Sequence, residues 1–355
     1  MLFAHKQNSS RLSLAARLTM PIVYFLLSGI SPAHAQLPPQ QAVDTSSLPV
    51  TVISATDADN IPLPFYKIAA DTYFLYGNIA EVDDKNRGFN GNAGFIVTSA
   101  GVVVIDSLGT PRLGKRLIAT VRKVSKLPIK YLILTHNHPD HSYGAIAFKK
   151  LGGIKIIGHE GTLQYLASEN LQGSVTFRRN LLGPDMKGFE GVKPDILVGG
   201  KRSDHYTFTL GGKTFAVYNT GQHHSYGDLV VNQVEDHILW ISDLAFNNRS
   251  TFMGDGNSAE ILETMDWLRL SFPDTRLMIP GHGSAQTAPF PMVEKTYNYV
   301  KRLRDEMSAA IKAGQNLESA VRQSDFSDWH DAPLYHENHK KNANFVYLEM
   351  EQELF

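Results

Sequence analysis

Short apolar runs bounded by glycine, asparagine and aspartate recur along the chain from Phe65 onward. They cover residues 72–76, 95–97, 102–105, 131–134 and 154–157, then 229–231, 238–241 and 277–279. Runs of this length between turn formers predict buried strands. Elsewhere the period is helical. Thr110 followed by Pro111 has the form of an N-cap and a first helical residue. Leu113, Leu117, Ile118, Val121 and Val124 then make an apolar stripe at helical spacing. Further helices are predicted over 258–270, 292–313 and 342–354, the last with Phe345, Val346 and Leu348 on its apolar side. Strands mixed with helices throughout predict an α/β or α+β fold, its sheet buried against helices.

Residues 1–35 stand apart. Lys6, Arg11 and Arg17 precede an apolar run over 18–30 that is short for a bilayer span, and Ala33-His34-Ala35 supplies a small-residue cleavage pattern. This predicts a secretory signal peptide, hence a protein secreted across an inner membrane and periplasmic, with no membrane attachment once processed. Neither a twin arginine nor a lipidatable cysteine points to another route. Residues 36–60, rich in Pro, Gln, Ser and Thr, read as a flexible arm. A catalytic domain is expected over 61–290, with a C-terminal helical extension over 291–355 packed on it.

The 355 residues include 34 Lys and Arg against 35 Asp and Glu, a formal net charge of −1. Removing the leader leaves 31 basic residues against 35 acidic and a charge of −4. Such a balance disfavours nucleic acid as a partner and points to a small-molecule substrate. The complete lack of cysteine excludes disulfides, thiolate metal sites and cysteine nucleophiles. Histidine, at 14 residues, is what remains conspicuous.

The histidines concentrate directly after a predicted strand, in Thr135-His136-Asn137-His138-Pro139-Asp140-His141. On an extended chain His136 and His138 point to the same side and can grip one metal. Pro139 then turns the chain so that Asp140 and His141 face a second position. Later strand ends offer more donors: His223 and His224 ahead of 229–231, Asp243 after 238–241, and His282 after 277–279. Imidazole and carboxylate donors suit Zn²⁺, while Fe and Mn fit the same set.

Taken in order, His136-x-His138-x-Asp140-His141, His224, Asp243 and His282 resemble the metal motifs of the metallo-β-lactamase superfamily, over roughly residues 66–285. The resemblance implies a four-layer αββα sandwich with the metal site at one edge of its two sheets. It implies two Zn²⁺ per chain: His136, His138 and His224 on the first, Asp140, His141 and His282 on the second, and Asp243 bridging. Asp106 would orient the ligand loop, and His224 rather than its neighbour His223 fits the pattern His-Ser-x-Gly-Asp. Asp243 looks more like the glyoxalase-II, lactonase and phosphodiesterase branches than the true β-lactamases. The export signal and the segment 224–229 are similar to exported zinc hydrolases associated with quinoprotein dehydrogenase systems.

The implied chemistry is hydrolysis by a metal-bridging hydroxide, with Asp140 orienting the nucleophile, on an ester, lactone, thioester or amide that includes β-lactams. A phosphodiesterase and a non-catalytic metal-binding protein are the alternatives. The Gly- and Asn-rich stretch 88–94 lies where relatives carry a mobile flap, and Phe89 either meets substrate or rests on the core. Asn247, Asn248 and Arg249 either receive an anionic group or form a solvated loop, and residues 171–201 are expected at the rim. His159 is expected to start a helix, and His330, His336 and His339 to face solvent.

Overall fold

Alternation along the buried strands decides the layering. In the computed structural model, which describes residues 53–54 and 56–354, these strands form two mixed sheets. The first runs in chain order: β1 (Tyr66–Lys67), β2 (Thr72–Leu75), β3 (Ala93–Thr98), β4 (Gly101–Ile105), β5 (Ile129–Ile133), β6 (Lys155–His159) and β7 (Ile196–Val198). The second contains β8 (His205–Leu210), β9 (Lys213–Asn219), β10 (Leu229–Gln233), β11 (Ile238–Ser242), β12 (Leu277–Pro280) and β13 (Gln286–Thr287), ordered 13-12-11-10-9-8. Parallel pairing joins β4 through β7, and β11 with β12; the other pairs are antiparallel.

Successive side chains on a strand point to opposite faces. On β4, Val103 and Ile105 face the second sheet, where they meet Val217, Val231 and Trp240. Val102 and Val104 face outward onto Leu113, Leu117 and Val121 of α1 (Pro111–Val124). On β11, Ile238 and Trp240 point inward, while Leu239 and Ile241 pack on the opposite helical layer. Both faces of each sheet are therefore covered, which is why these strands read as unbroken apolar runs. The result is the expected helix–sheet–sheet–helix sandwich.

Thr110 caps α1 as predicted, its Oγ1 accepting from Leu113 N at 3.1 Å. Four further short or polar helices follow: α2 (Pro139–Ser142), α3 (Ala145–Leu151), α4 (Thr162–Leu166) and α5 (Glu169–Leu182). The other outer layer holds α6 (Ser258–Ser271), α7 (Pro291–Lys312), α8 (Leu317–Gln323) and α9 (Tyr335–Leu354). The stretch expected as rim thus contains α5, where Leu171, Val175 and Leu182 pack with Tyr143 and Tyr165. Arg178, buried between them, interrupts the apolar stripe and hid the helix from the pattern.

The last helix begins earlier than expected, at Tyr335. It buries His339, Asn342, Ala343, Val346 and Met350, whereas Leu348 is exposed. His339 therefore does not face solvent: its ring nitrogens meet Tyr299 Oη and Ser324 Oγ, both at 3.0 Å. His330 and His336 are exposed.

The expected signal peptide lies outside the described residues, as does most of the arm. The end of the arm is docked: Ile53 is buried in the core beneath α1, and Asp57 pairs with Arg116 at 2.9 Å. Among the described residues, no helix is long and apolar enough to cross a membrane.

Candidate metal centre

Every candidate donor lies at one edge of the two sheets. Asp106 follows β4, His136 and His138 follow β5, Asp243 follows β11 and His282 follows β12. His224 precedes β10, which runs antiparallel to β11, so its N-terminal end reaches the same edge. Pro139 opens α2, and this turn carries Asp140 and His141 away from the His136–His138 side.

The structure gathers the donors into two groups. His136, His138, His224 and Asp243 form one, and Asp140, His141 and His282 the other, each with ligand atoms within 4.8 Å of one another. Asp243 touches both. Its Oδ2 lies 3.0 Å from His224 Nε2, 3.2 Å from His282 Nε2 and 3.8 Å from His136 Nε2, and its Oδ1 lies 3.5 Å from His141 Nε2. Room for that carboxylate depends on Gly281, where a Cβ would sit 1.9 Å from Asp243 Oδ1.

Whether these residues suit a metal is tested by what their ring nitrogens do. His141 Nδ1 donates to Asp106 Oδ2 at 2.9 Å. His282 Nδ1 donates to the Asn90 carbonyl at 2.8 Å, and His136 Nδ1 lies 3.1 Å from Ser242 Oγ. One nitrogen of each ring is thereby occupied, which leaves the other to serve as the ligand atom. His136 Nε2, His141 Nε2 and Asp243 Oδ1 are buried with no hydrogen-bond partner. Orphaned polar atoms in a buried cluster cost free energy unless something pairs them. A cation between the groups supplies that partner, so the donor set fits.

The electrostatics agree. Burial opposes ionisation of Asp243, yet His282, His141, His224 and His136 hold its carboxyl well below the usual range. Burial also opposes charge on His141, but Asp243, Asp140 and Asp106 outweigh it and raise the imidazole to about 10. Burial, the His141 charge and its neighbours push His136 well below its ordinary value. The cluster thus attracts positive charge and divides it unevenly.

Supporting residues come from the turn after β4 and from the Gly- and Asn-rich stretch 88–94. Asp106, at φ +59°, accepts from Thr135 N at 2.8 Å and so ties the ligand loop to β4. Asn90 Nδ2 donates to Asp140 Oδ2 at 2.9 Å while its carbonyl holds His282. Asn92 N donates to the Gly281 carbonyl at 2.7 Å. The stretch 88–94 is therefore pinned to the ligand loops, and Phe89 is fully buried in the core. Gly91 permits this approach, since a Cβ there would stand 2.9 Å from the Asp140 carbonyl oxygen.

Other candidates fall elsewhere. His223 is buried outside both groups, its Nε2 3.2 Å from Thr220 Oγ1. His159 ends β6 rather than starting a helix; Asn219 Oδ1 and Gly161 N, each at 2.9 Å, satisfy its ring. Arg249 is not solvated: it is buried over Phe246, with Nη1 2.9 Å from His282 Nδ1. A guanidinium in a loop gives no periodic signal, so only the folded chain reveals this contact.

The model of the metallo-beta-lactamase superfamily matches residues 86–282. The metallo-beta-lactamase IND-1 of Chryseobacterium indologenes is 24% identical over 199 residues, covering 55% of this chain and 73% of that protein. A linear primary-alkylsulfatase of Pseudomonas sp. is 32% identical over 84 residues, which is 24% of this chain and 15% of that protein. The solved sec-alkylsulfatase Pisa1 from Pseudomonas sp. superposes with a TM-score of 0.62 at 16% identity, over 81% of this chain and 50% of that one. The chain belongs to the metallo-beta-lactamase superfamily and is one of its metal-dependent hydrolases.

Proposed function

We propose that the protein is an exported dinuclear zinc hydrolase acting on a small ester, lactone, thioester or amide. The observation that carries this reading is the position of Asp243, within 4 Å of histidines from both donor groups. His136, His138 and His224 would hold one ion, and Asp140, His141 and His282 the other, with Asp243 shared. When bound, such a pair supplies an acidified water at neutral pH and a Lewis acid for the scissile group. Iron or manganese suits the same donors.

The residues of the chain do the positioning. Burial disfavours charge on Asp140, but His141, His282 and Arg178 outweigh it and hold the carboxyl below its ordinary range. Asn90 Nδ2 fixes one of its oxygens, so an ionised carboxylate stands ready to orient a water. Thr135 and Asp106 hold the loop that carries Asp140. Residues 1–35 would direct the chain to the periplasm, and N-terminal sequencing of the secreted form checks the cleavage at Ala35.

Metal analysis of protein purified without chelators should find two ions per chain. Nitrocefin, a lactone, a thioester, a bis-phosphodiester and a primary alkyl sulfate then separate the substrate classes, the sulfate because an alkylsulfatase is among the relatives. His138→Ala and Asp243→Ala should abolish turnover of whichever is accepted. Protein that carries no metal under these conditions would sink the reading.

A further inference from the structure

The family match ends at residue 282, and α7, α8 and α9 lie beyond it. We propose that α9 is a working part of the metal centre. Through Asn342, Phe345 and Glu349 it holds loop 251–258, so that Asp255 fixes the ring of His138. This rests on the two-metal reading above.

His138 is the most open of the seven donors, with 13% of its side chain exposed. Unlike His141 or His282, it has no fully buried partner on its outer nitrogen. Its Nε2 instead donates to Asp255 Oδ2 at 3.0 Å. A proton held on Nε2 leaves Nδ1 bare as the ligand atom. Asp255 is thus a positioning residue, acting through His138.

Asp255 sits in a segment without regular structure, between Gly254 and Gly256. Such a loop must be held from outside to deliver a carboxylate reliably. On one side Gly256 presses on the ligand loop, where a Cβ would come within 2.1 Å of the His223 carbonyl. On the other side stands α9. Asn342 Oδ1 accepts from Met253 N at 3.0 Å, and its Nδ2 donates to the Thr251 carbonyl at 2.9 Å. The Phe345 ring meets Phe252 edge-on at 6.0 Å and touches Gly254, where a Cβ would lie 2.7 Å from it. Glu349 accepts from Ser258 N at 3.0 Å and from Ser258 Oγ.

Asn342, Phe345 and Glu349 are three and four residues apart, so they line one face of the helix. That face holds the loop before, at and after Asp255. The polar members explain why an apolar pattern did not show it.

The test measures metal affinities by chelator competition, with thermal midpoints of metal-free protein as the control for folding. Asp255→Ala should weaken one of the two affinities by about 10–100-fold and leave the other unchanged. Asp255→Asn keeps an oxygen acceptor for Nε2 and should recover most of the loss. Phe345→Ala should weaken the same metal, and Phe345→Leu less so. In the Asp255→Ala background, Phe345→Ala should add nothing, because the helix acts through Asp255. Additive effects, or Phe345 variants that bind both metals like the unaltered protein, overturn the role of α9. An unaltered protein that binds no metal overturns the metal reading itself, so the two failures are distinct.

Discussion

Replacing Asp106 by Asn tests the logic of the metal centre with one atom. Asparagine tolerates the left-handed backbone at φ +59° about as well as aspartate, so the turn after β4 should survive. The carboxylate has two duties: Oδ1 accepts from Thr135 N at 2.8 Å and Oδ2 from His141 Nδ1 at 2.9 Å. An amide cannot perform both. With its oxygen on Thr135, the NH₂ faces His141 and drives the ring proton to Nε2, the nitrogen that points at Asp243. Losing a charged hydrogen bond of this kind costs about 1.5–3 kcal/mol. The usual loss for a carboxylate behind a metal-binding histidine is about 10–100-fold in affinity, or roughly 1.4–2.8 kcal/mol, so the two scales agree. Turned the other way, the amide strands the buried Thr135 N–H, and about 1–3 kcal/mol is lost from folding instead. Chelator competition and thermal unfolding of the metal-free protein read the two outcomes separately. If Asp106→Asn leaves both metal affinity and thermal midpoint unchanged, the tautomer argument is wrong.

Three further outcomes are expected. His141, raised to about 10, is protonated at pH 7 in metal-free protein, whereas a ligand imidazole must be neutral. Metal binding should therefore release protons and tighten as pH rises; calorimetry in buffers of different ionisation enthalpy measures this, and no release at pH 7 contradicts it. His339 is lowered to about 4 by burial, then by Lys340, against about 6.5 unfolded. The unfolded chain then binds the proton first, so stability is complete above about pH 6.5 and is lost as pH falls towards 4. Thermal midpoints across that window should drop, and His339→Gln should flatten the profile. Gly281→Ala places a Cβ 1.9 Å from Asp243 Oδ1, and metal analysis of the folded variant should show both ions depleted.

The centre was legible in the sequence where chemistry and chain order coincide. His136 through His141 lie on one strand end and the turn after it, so their spacing alone proposes shared metals. Asp243 and His282 were legible because each directly follows an apolar run that became β11 or β12. The layers followed for the same reason, since strands buried on both faces cannot be disguised. Asn90 and Asp255 had no such marker. Each is a polar residue in a glycine-rich loop, brought to its histidine by elements far away in the chain. Helix α5 escaped because buried Arg178 occupies its apolar stripe, and the start of α9 because buried Asn338 and His339 do.

The donors come from both sheets: His136 to His141 follow β5 of the first, and His224, Asp243 and His282 border β10, β11 and β12 of the second. Ions held between them would fasten one half of the sandwich to the other, closing the whole stretch from His136 to His282 into a ring. In a chain with no cysteine, that clasp would take the place of a covalent crosslink. It can also be undone: because metal binds the folded chain in preference to the unfolded one, stripping it should let the halves part at a lower temperature.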